Sequence, residues 1–211
     1  MAVNDDAIFT AAVGYVFTAP VGTAMPTPSD LTPFKNAGGA NVSLGADWVD
    51  LGHTSRDDLP EFGFEGGEIE TRGSWRNATL REVTTEVAVD YVIVRLSQFD
   101  EEGLSLYYGV QNQSTEAGKF VVVGGEVLTA TERALSIVVV DGERVIAFYA
   151  PKASIRREEE LTMAVDDFAV LPLRCTFLTP DADDVVGNPE LQSVRFAWIA
   201  ENTELFGPQG S

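Results

Sequence analysis

A reaction centre needs a nucleophile, a base or a metal held in a preorganised pocket, and the side chains able to supply one are few. His53 is the only histidine and Cys175 the only cysteine among 211 residues. One chain can therefore build neither a multi-histidine nor a cysteine-based metal site, and no internal disulfide. A Ser-His-Asp arrangement through His53 would need its serine on a strand-to-helix elbow. The run Gly52-His53-Thr54-Ser55 offers none, and His53 reads as a polar residue at a strand end. Cys175 sits in a strand-like stretch and reads as a small core hydrophobe.

Carboxylates are the abundant alternative. They come as Asp5-Asp6, Asp57-Asp58, Glu101-Glu102, Glu158 to Glu160, Asp166-Asp167 and Asp183-Asp184. Paired carboxylates can hydrolyse glycosides when about 5 to 9.5 Å apart across a cleft, but sequence neighbours on a strand point to opposite faces. Solvated surface is their plainer reading. Residues 181–190 hold calcium-type ligands, Asp181, Asp183, Asp184 and Glu190, yet Gly187 falls one place late and the acidic spacing is not that of an EF-hand. Gly118-Lys119 lacks the preceding glycine and following Ser or Thr of a phosphate-cradling loop, and no G-x-G-x-x-G occurs. No catalytic, cofactor-binding or metal-ligating residue is assigned, and no cofactor is expected.

The composition also limits partners. Asp and Glu number 33 against 14 Lys and Arg, a formal net charge of -19, with no basic cluster longer than Arg156-Arg157. Gripping a nucleic-acid backbone requires cationic side chains that displace condensed counterions, so DNA binding and anionic membranes are disfavoured. No apolar run approaches the roughly 18 residues of a membrane-spanning helix, and Asp5 and Asp6 stand where a secretory signal would carry Lys or Arg. A protein free of membranes and not exported by a cleaved signal is expected. At 45% hydrophobic residues, the chain is long enough for one domain with a real core.

The elements around these residues follow a period of two far more often than 3.6. The pattern predicts strands at 7–17, 48–52, 68–76, 83–95, 119–123, 134–140, 145–150, 162–177 and 193–200. Over 83–95, Val83, Thr85, Val87, Val89, Tyr91 and Ile93 form the apolar face. Asp141-Gly142, between Ala134–Val140 and Val145–Ala150, is the clearest hairpin signal, because Asp-Gly suits a tight primed turn. One helix fits 98–108, with Ser97 able to cap it and Asp100, Glu101 and Glu102 at its positive end. A helical turn is predicted at 188–192, with Asn188 as cap and Pro189 first. The fold class is mainly β.

Residues 19–45 hold four prolines and few consecutive apolar residues. A structureless stretch of that length is uncommon inside a domain, so it is expected as an extended arm or loop, with a second tail at 201–211. The runs Phe120–Val123 and Ile137–Val140 suggest strand edges that must be covered or shared between subunits. A ring sharing such edges around a channel, with acidic walls, would repel DNA phosphates and leave a duplex free to slide.

The stretch from Trp48 to Gly67, WVDLGHTSRDDLPEFGFEGG, followed by Glu68 to Trp75, EIETRGSW, resembles the corresponding region of the major tail proteins, the tail tube subunits of siphophages that infect actinobacteria. The resemblance extends over roughly the first 175 residues as an order of elements. It implies a β-sandwich of the phage tail tube fold flanked by one α-helix, a single domain over 1–211. It further implies hexameric rings that self-assemble into a stacked tube, built around a tape-measure protein and completed by tail terminator and distal tail proteins. DNA would pass through the lumen during ejection without specific binding. The family carries no catalytic residues to transfer. Two other classes fit the composition: another virion β-domain (capsid decoration, tail terminator or host-binding protein) and a β-sandwich glycan hydrolase. The latter would need a cleft with two close carboxylates and aromatic platforms, for which Trp48, Trp75 and Trp198 are the candidates.

Overall fold

The computed structural model describes residues 7–124, 129–163 and 165–206. Its strands are β1 (Val13–Ala19), β2 (Val49–Asp50), β3 (Glu61–Glu65), β4 (Ile69–Ser74), β5 (Asn77–Thr84), β6 (Val89–Leu96), β7 (Thr131–Asp141), β8 (Arg144–Arg157), β9 (Leu171–Phe177) and β10 (Ala197–Ala200). One helix, α1 (Glu101–Tyr108), lies between β6 and β7, and short 3-10 helices span Pro28–Phe34 and Pro189–Ser193. Eight strands join one antiparallel sheet in the order β2-β1-β7-β8-β9-β6-β3, with β10 also paired to β8, while β4 and β5 pair only with each other.

The hairpin of β7 and β8 is the centre of this sheet, and Asp141-Gly142 does mark its turn. Asp141 pairs with Arg144, so Gly142 and Glu143 are the two loop residues. Gly142 has φ +64, a left-handed value at the first loop position that suits glycine. Strand β8 is long enough to serve two neighbours in succession: residues 146–149 pair with β10 and residues 153–157 with β9. That change of partner folds the sheet over on itself into a sandwich.

Both faces of β1, β7 and β8 are covered, which explains the unbroken Ile137–Val140 run. One core gathers Val16, Leu135, Ile137, Phe148 and Ile155 with Val92, Val94 and Leu96 of β6, Leu173 and Cys175 of β9, and Leu106 of α1. The other gathers Tyr15, Phe17, Val138, Val140 and Tyr149 with Leu31, Phe34, Val185 and Leu191. The lid over this second core is the segment 19–45. Leu31 and Phe34 are wholly buried, and the Phe34 ring meets Tyr15 edge-on at 5.1 Å and Phe17 at 5.8 Å. Such pairs add about 0.5–1.5 kcal/mol beyond area burial. The segment thus lies as a loop over the sheet and does not reach away as an arm. Its anchors are single apolar residues between prolines, which period counting does not register. A capping box at Thr27 and Asp30 starts the 3-10 turn that delivers Leu31 and Phe34.

Several predicted elements are corrected. The strand expected over 83–95 is two strands, β5 ending at Thr84 and β6 starting at Val89; alternation runs through the break and so hides it. The inward face of β6 is Val92, Val94 and Leu96, while Tyr91 and Ile93 are half-buried. Residues 119–123 form no strand, and Val121, Val122 and Val123 are exposed. The strand expected over 162–177 occupies only Leu171–Phe177, and β1 starts at Val13 rather than residue 7. Strand β3 had no prediction, because Phe62-Gly63-Phe64 is interrupted by a glycine and lies between Pro60 and Gly66-Gly67. The helix is capped by Asp100, whose side chain accepts from the Gly103 N–H at 2.8 Å, and not by Ser97. The 3-10 turn at Pro189–Ser193 forms where expected, after Asn188. Asn188 spends its side chain on the Gly22 carbonyl at 3.0 Å instead of a cap. Of the expected tail at 201–211, only 201–206 lies among the described residues, and Glu201 pairs with Lys35 at 2.7 Å.

Candidate assembly interface

The residues singled out for chemistry do not converge. His53 is exposed and its backbone carbonyl accepts from the Ser97 N–H at 2.8 Å, a join between the loop after β2 and the end of β6. Asp57, Asp58, Asp166 and Asp167 are exposed, while Asp5 and Asp6 lie outside the described residues. In the segment 181–190, Asp184 Oδ2 is occupied by Lys152 Nζ at 2.9 Å and the Asp181 N–H at 2.9 Å. Those partners hold its carboxyl below the ordinary aspartate range, the Asp181 N–H first and Lys152 next. Among the described residues, no three acidic, histidine or cysteine side chains are grouped to hold a metal ion. Burial raises the Cys175 thiol to about 12, so it is protonated and inert at neutral pH.

What stands out instead is surface that an isolated chain leaves uncovered. Every residue of β4 is exposed and only Val83 of β5 is partly shielded. Ile69 and Leu80 expose more than half their area on this hairpin, as does Val87 just after it, and Trp75 at its turn is fully exposed. Gly73 beside the turn has the Ala78 carbonyl where a Cβ would stand, so the ribbon closes tightly around Trp75-Arg76. A two-stranded ribbon is at best marginal in water without packing. Further apolar groups stand out on the loop between β8 and β9, where Met163, Val165 and Phe168 are largely exposed.

At the base of the hairpin lies an aromatic groove of about 280 Å³ between β3, β6 and β10, walled by Phe62, Phe64, Phe196 and Trp198, with Asp90 at its side. Phe148 and Phe177 form its floor, Phe62 meeting Phe148 at 4.9 Å and Trp198 at 5.4 Å. Phe62, Phe64, Phe196 and Trp198 each remain 40% or more exposed, so the ring edges face water. Alternation on β3 puts Phe62 and Phe64 on the groove side and Glu61, Gly63 and Glu65 on the other. Gly63 leaves room on that side for the Tyr91 ring, which lies where a Cβ would stand.

The hairpin base is fastened to the body by Arg174 of β9. Its guanidinium lies over the Tyr91 ring at 3.6 Å and pairs with Glu65 at 2.7 Å and Glu158 at 3.2 Å. Burial opposes its charge, but the two carboxylates together outweigh burial and raise its pKa. Arg195 holds Asp90 at 3.2 Å and the Ala88 carbonyl at 3.0 Å. The groove and the root of the hairpin are therefore one fixed unit, from which the rest of the hairpin projects. Sequence reasoning missed both, although Trp75 flanked by Arg72 and Arg76 in so acidic a chain was a readable sign.

A surface built of an exposed ribbon and an open aromatic groove suits binding to other protein surfaces. Comparisons with known proteins agree. The family model for phage tail tube proteins matches residues 1–204. The chain is 45% identical over 207 residues to the major tail protein Gp23 of Mycobacterium phage D29, covering 98% of this chain and 96% of that protein. It is also 45% identical over 206 residues to the major tail protein Gp23 of Mycobacterium phage L5, with the same coverage. These matches extend the resemblance read around residues 48–75 to nearly the whole length, and the chain belongs to the phage tail tube proteins, structural and non-enzymatic components of the virion tail.

Proposed function

We propose that the chain, as a single tail tube domain over residues 1–211, assembles with copies of itself into hexameric rings that stack into the tube through which the genome is ejected. The observation that carries this reading is the β4–β5 hairpin, a ribbon paired only with itself and exposed along both strands. Such a ribbon gains its missing packing only against another molecule. The net charge of -19 supports the conduit, since a strongly acidic subunit repels the phosphates of a passing duplex rather than holding them. The tape-measure protein, around which the tube would form, and the terminator and distal tail proteins at its ends complete the set of partners. No catalytic, cofactor-binding or metal-ligating residue belongs to this role.

Negative-stain electron microscopy of the purified protein, with light scattering across concentration, tests the proposal. Hollow tubes with sixfold end views are expected above a threshold concentration. Tubes of another symmetry would overturn the hexamer alone. Persistent monomers, even when tail-tip components are added as initiators, would overturn self-assembly.

A further inference from the structure

The turn of the β7–β8 hairpin fastens two other segments. Asp141 Oδ2 accepts from the Thr10 N–H at 3.0 Å, Arg144 Nη1 donates to the Ile8 carbonyl at 3.1 Å, and the Gly142 carbonyl accepts from the Asn36 N–H at 3.0 Å. The chain ahead of β1 and the lid are thus both tied to residues 141–144. Asp141 is the one aspartate followed by glycine, and no Asn-Gly occurs. Every other aspartate precedes a residue with a side chain, which hinders approach of the next backbone nitrogen to the carboxyl.

An Asp-Gly pair can rearrange on itself. The Gly142 nitrogen attacks Cγ of the protonated Asp141 carboxyl; an N–C bond forms, the C–OH bond breaks, and the proton of the nitrogen leaves with the hydroxyl as water. Water then reopens the five-membered imide. Cleavage of the Cγ–N bond restores aspartate, whereas cleavage between the Asp141 backbone carbonyl carbon and the Gly142 nitrogen routes the chain through the side chain and leaves isoaspartate. The water lost in the first step is regained in the second, so no other reactant is needed. The nucleophile is available: among the described residues the Gly142 N–H donates no hydrogen bond. Gly142 is also exposed, with nothing within 4 Å of where a Cβ would stand. The restraint acts on the other partner, since Thr10 holds the carboxylate. Thr10 is itself exposed, in irregular chain just ahead of β1, where local opening costs little.

We infer that Asp141 is a site of spontaneous isomerisation to isoaspartate, with the Thr10 N–H as its latch, and that the change unfastens residues 7–12 from the hairpin turn. Isoaspartate adds one carbon to the backbone where Asp141 pairs with Arg144. It also replaces the side-chain carboxylate by one attached directly to Cα, so Thr10 loses its acceptor. A two-residue loop has its twist matched to the flanking strands, so the added atom disturbs the pairing at the turn. The next pair inward, Val140 with Val145, belongs to the second core and stays in place. The loss is local to the turn and to what it holds.

The test ages the full-length chain in mildly acidic buffer made with heavy-oxygen water, beside Thr10→Pro and Asp141→Glu. Digests are fragmented by electron transfer, which distinguishes isoaspartate from aspartate. Heavy oxygen and isoaspartate are expected to collect at residue 141 ahead of every other aspartate. Accumulation is expected to be several-fold faster in Thr10→Pro, which lacks the N–H, and absent in Asp141→Glu, whose longer side chain would have to close a six-membered ring. Hydrogen exchange of the aged wild-type protein is expected to quicken over 7–12 and to stay unchanged in β1 and β7. A wild-type chain that isomerises only when unfolded in urea would overturn the site. An unaltered rate in a Thr10→Pro protein shown by circular dichroism to be folded would overturn the latch, and unaltered exchange over 7–12 would overturn the release. The wild-type arms decide the site whether or not Thr10→Pro folds.

Discussion

Lys152 Nζ and the Asp184 carboxylate meet at 2.9 Å, tying the loop after β9 to the middle of β8 and, through Gly22, to the start of the 19–45 segment. Gly22 can have no side chain here, since the Asp184 carbonyl occupies the position of its Cβ. The Asp184 carboxyl is held below its ordinary value, and the Lys152 ammonium above its own, chiefly by its hydrogen bond to Asp184. A depressed acid stabilises above its unfolded value of about 3.9 and loses that effect as pH falls through the folded one; a raised base stabilises below about 10.4 and loses its effect as pH rises past it. Asp184→Asn is therefore expected to lower Tm between about pH 4 and 10, with the gap to wild type closing in stronger acid. Thermal melts from pH 2.5 to 9 check this, and a pH-independent gap would contradict it.

Phe34 lies at the centre of the second core with no exposed surface. Phe34→Ala is expected to cost about 3–5 kcal/mol, the usual range for removing a buried ring. Deleting 19–45 is expected to prevent folding, since Phe17, Val138 and Tyr149 would lose their cover. Urea unfolding followed by circular dichroism measures both. A Phe34→Ala protein within about 1 kcal/mol of wild type would show that the lid is dispensable.

Gly142 faces open space, so a substitution there meets no clash, yet its φ of +64 remains unfavourable for a β-branched residue. Gly142→Val is expected to destabilise by about 1–3 kcal/mol through the backbone alone, while Gly142→Asn, which tolerates that region, is expected to cost much less. Equal effects in denaturant melts would argue against a left-handed turn.

Cys175 reports global opening. With its thiol buried and its pKa raised to about 12, reaction with a thiol reagent at pH 8 is expected to be negligible in the folded chain and rapid in denaturant. The labelling rate should follow the unfolding rate across a urea series. Rapid labelling under native conditions would mean that β9 opens locally.

The β7–β8 hairpin and α1 were legible because their signals are local: a turn dipeptide between apolar runs, and acids ahead of an apolar stripe. The 19–45 lid was not, since Leu31, Phe34 and Leu44 act through distant partners and each stands alone in sequence. The break at residues 85–88 was invisible for the opposite reason. Alternation continued through it, and only the pairing of β6 with β9 and of β5 with β4 divides the run. The candidate interface is assembled from residues more than a hundred positions apart, Phe62 and Trp198 among them. Periodicity gives no measure of which aromatic rings meet and stay uncovered.

Strand β8 contributes Phe148, Ala150, Ala153 and Ile155 to one core and Val145, Ala147 and Tyr149 to the other. Neither core can melt while the other keeps its shape, because the strand that each would lose is common property. The subunit body is accordingly a single cooperative unit with little internal give. Any bending or stretching of a filament made from such units has to be absorbed at the joints between them, and the body passes mechanical load along without changing shape.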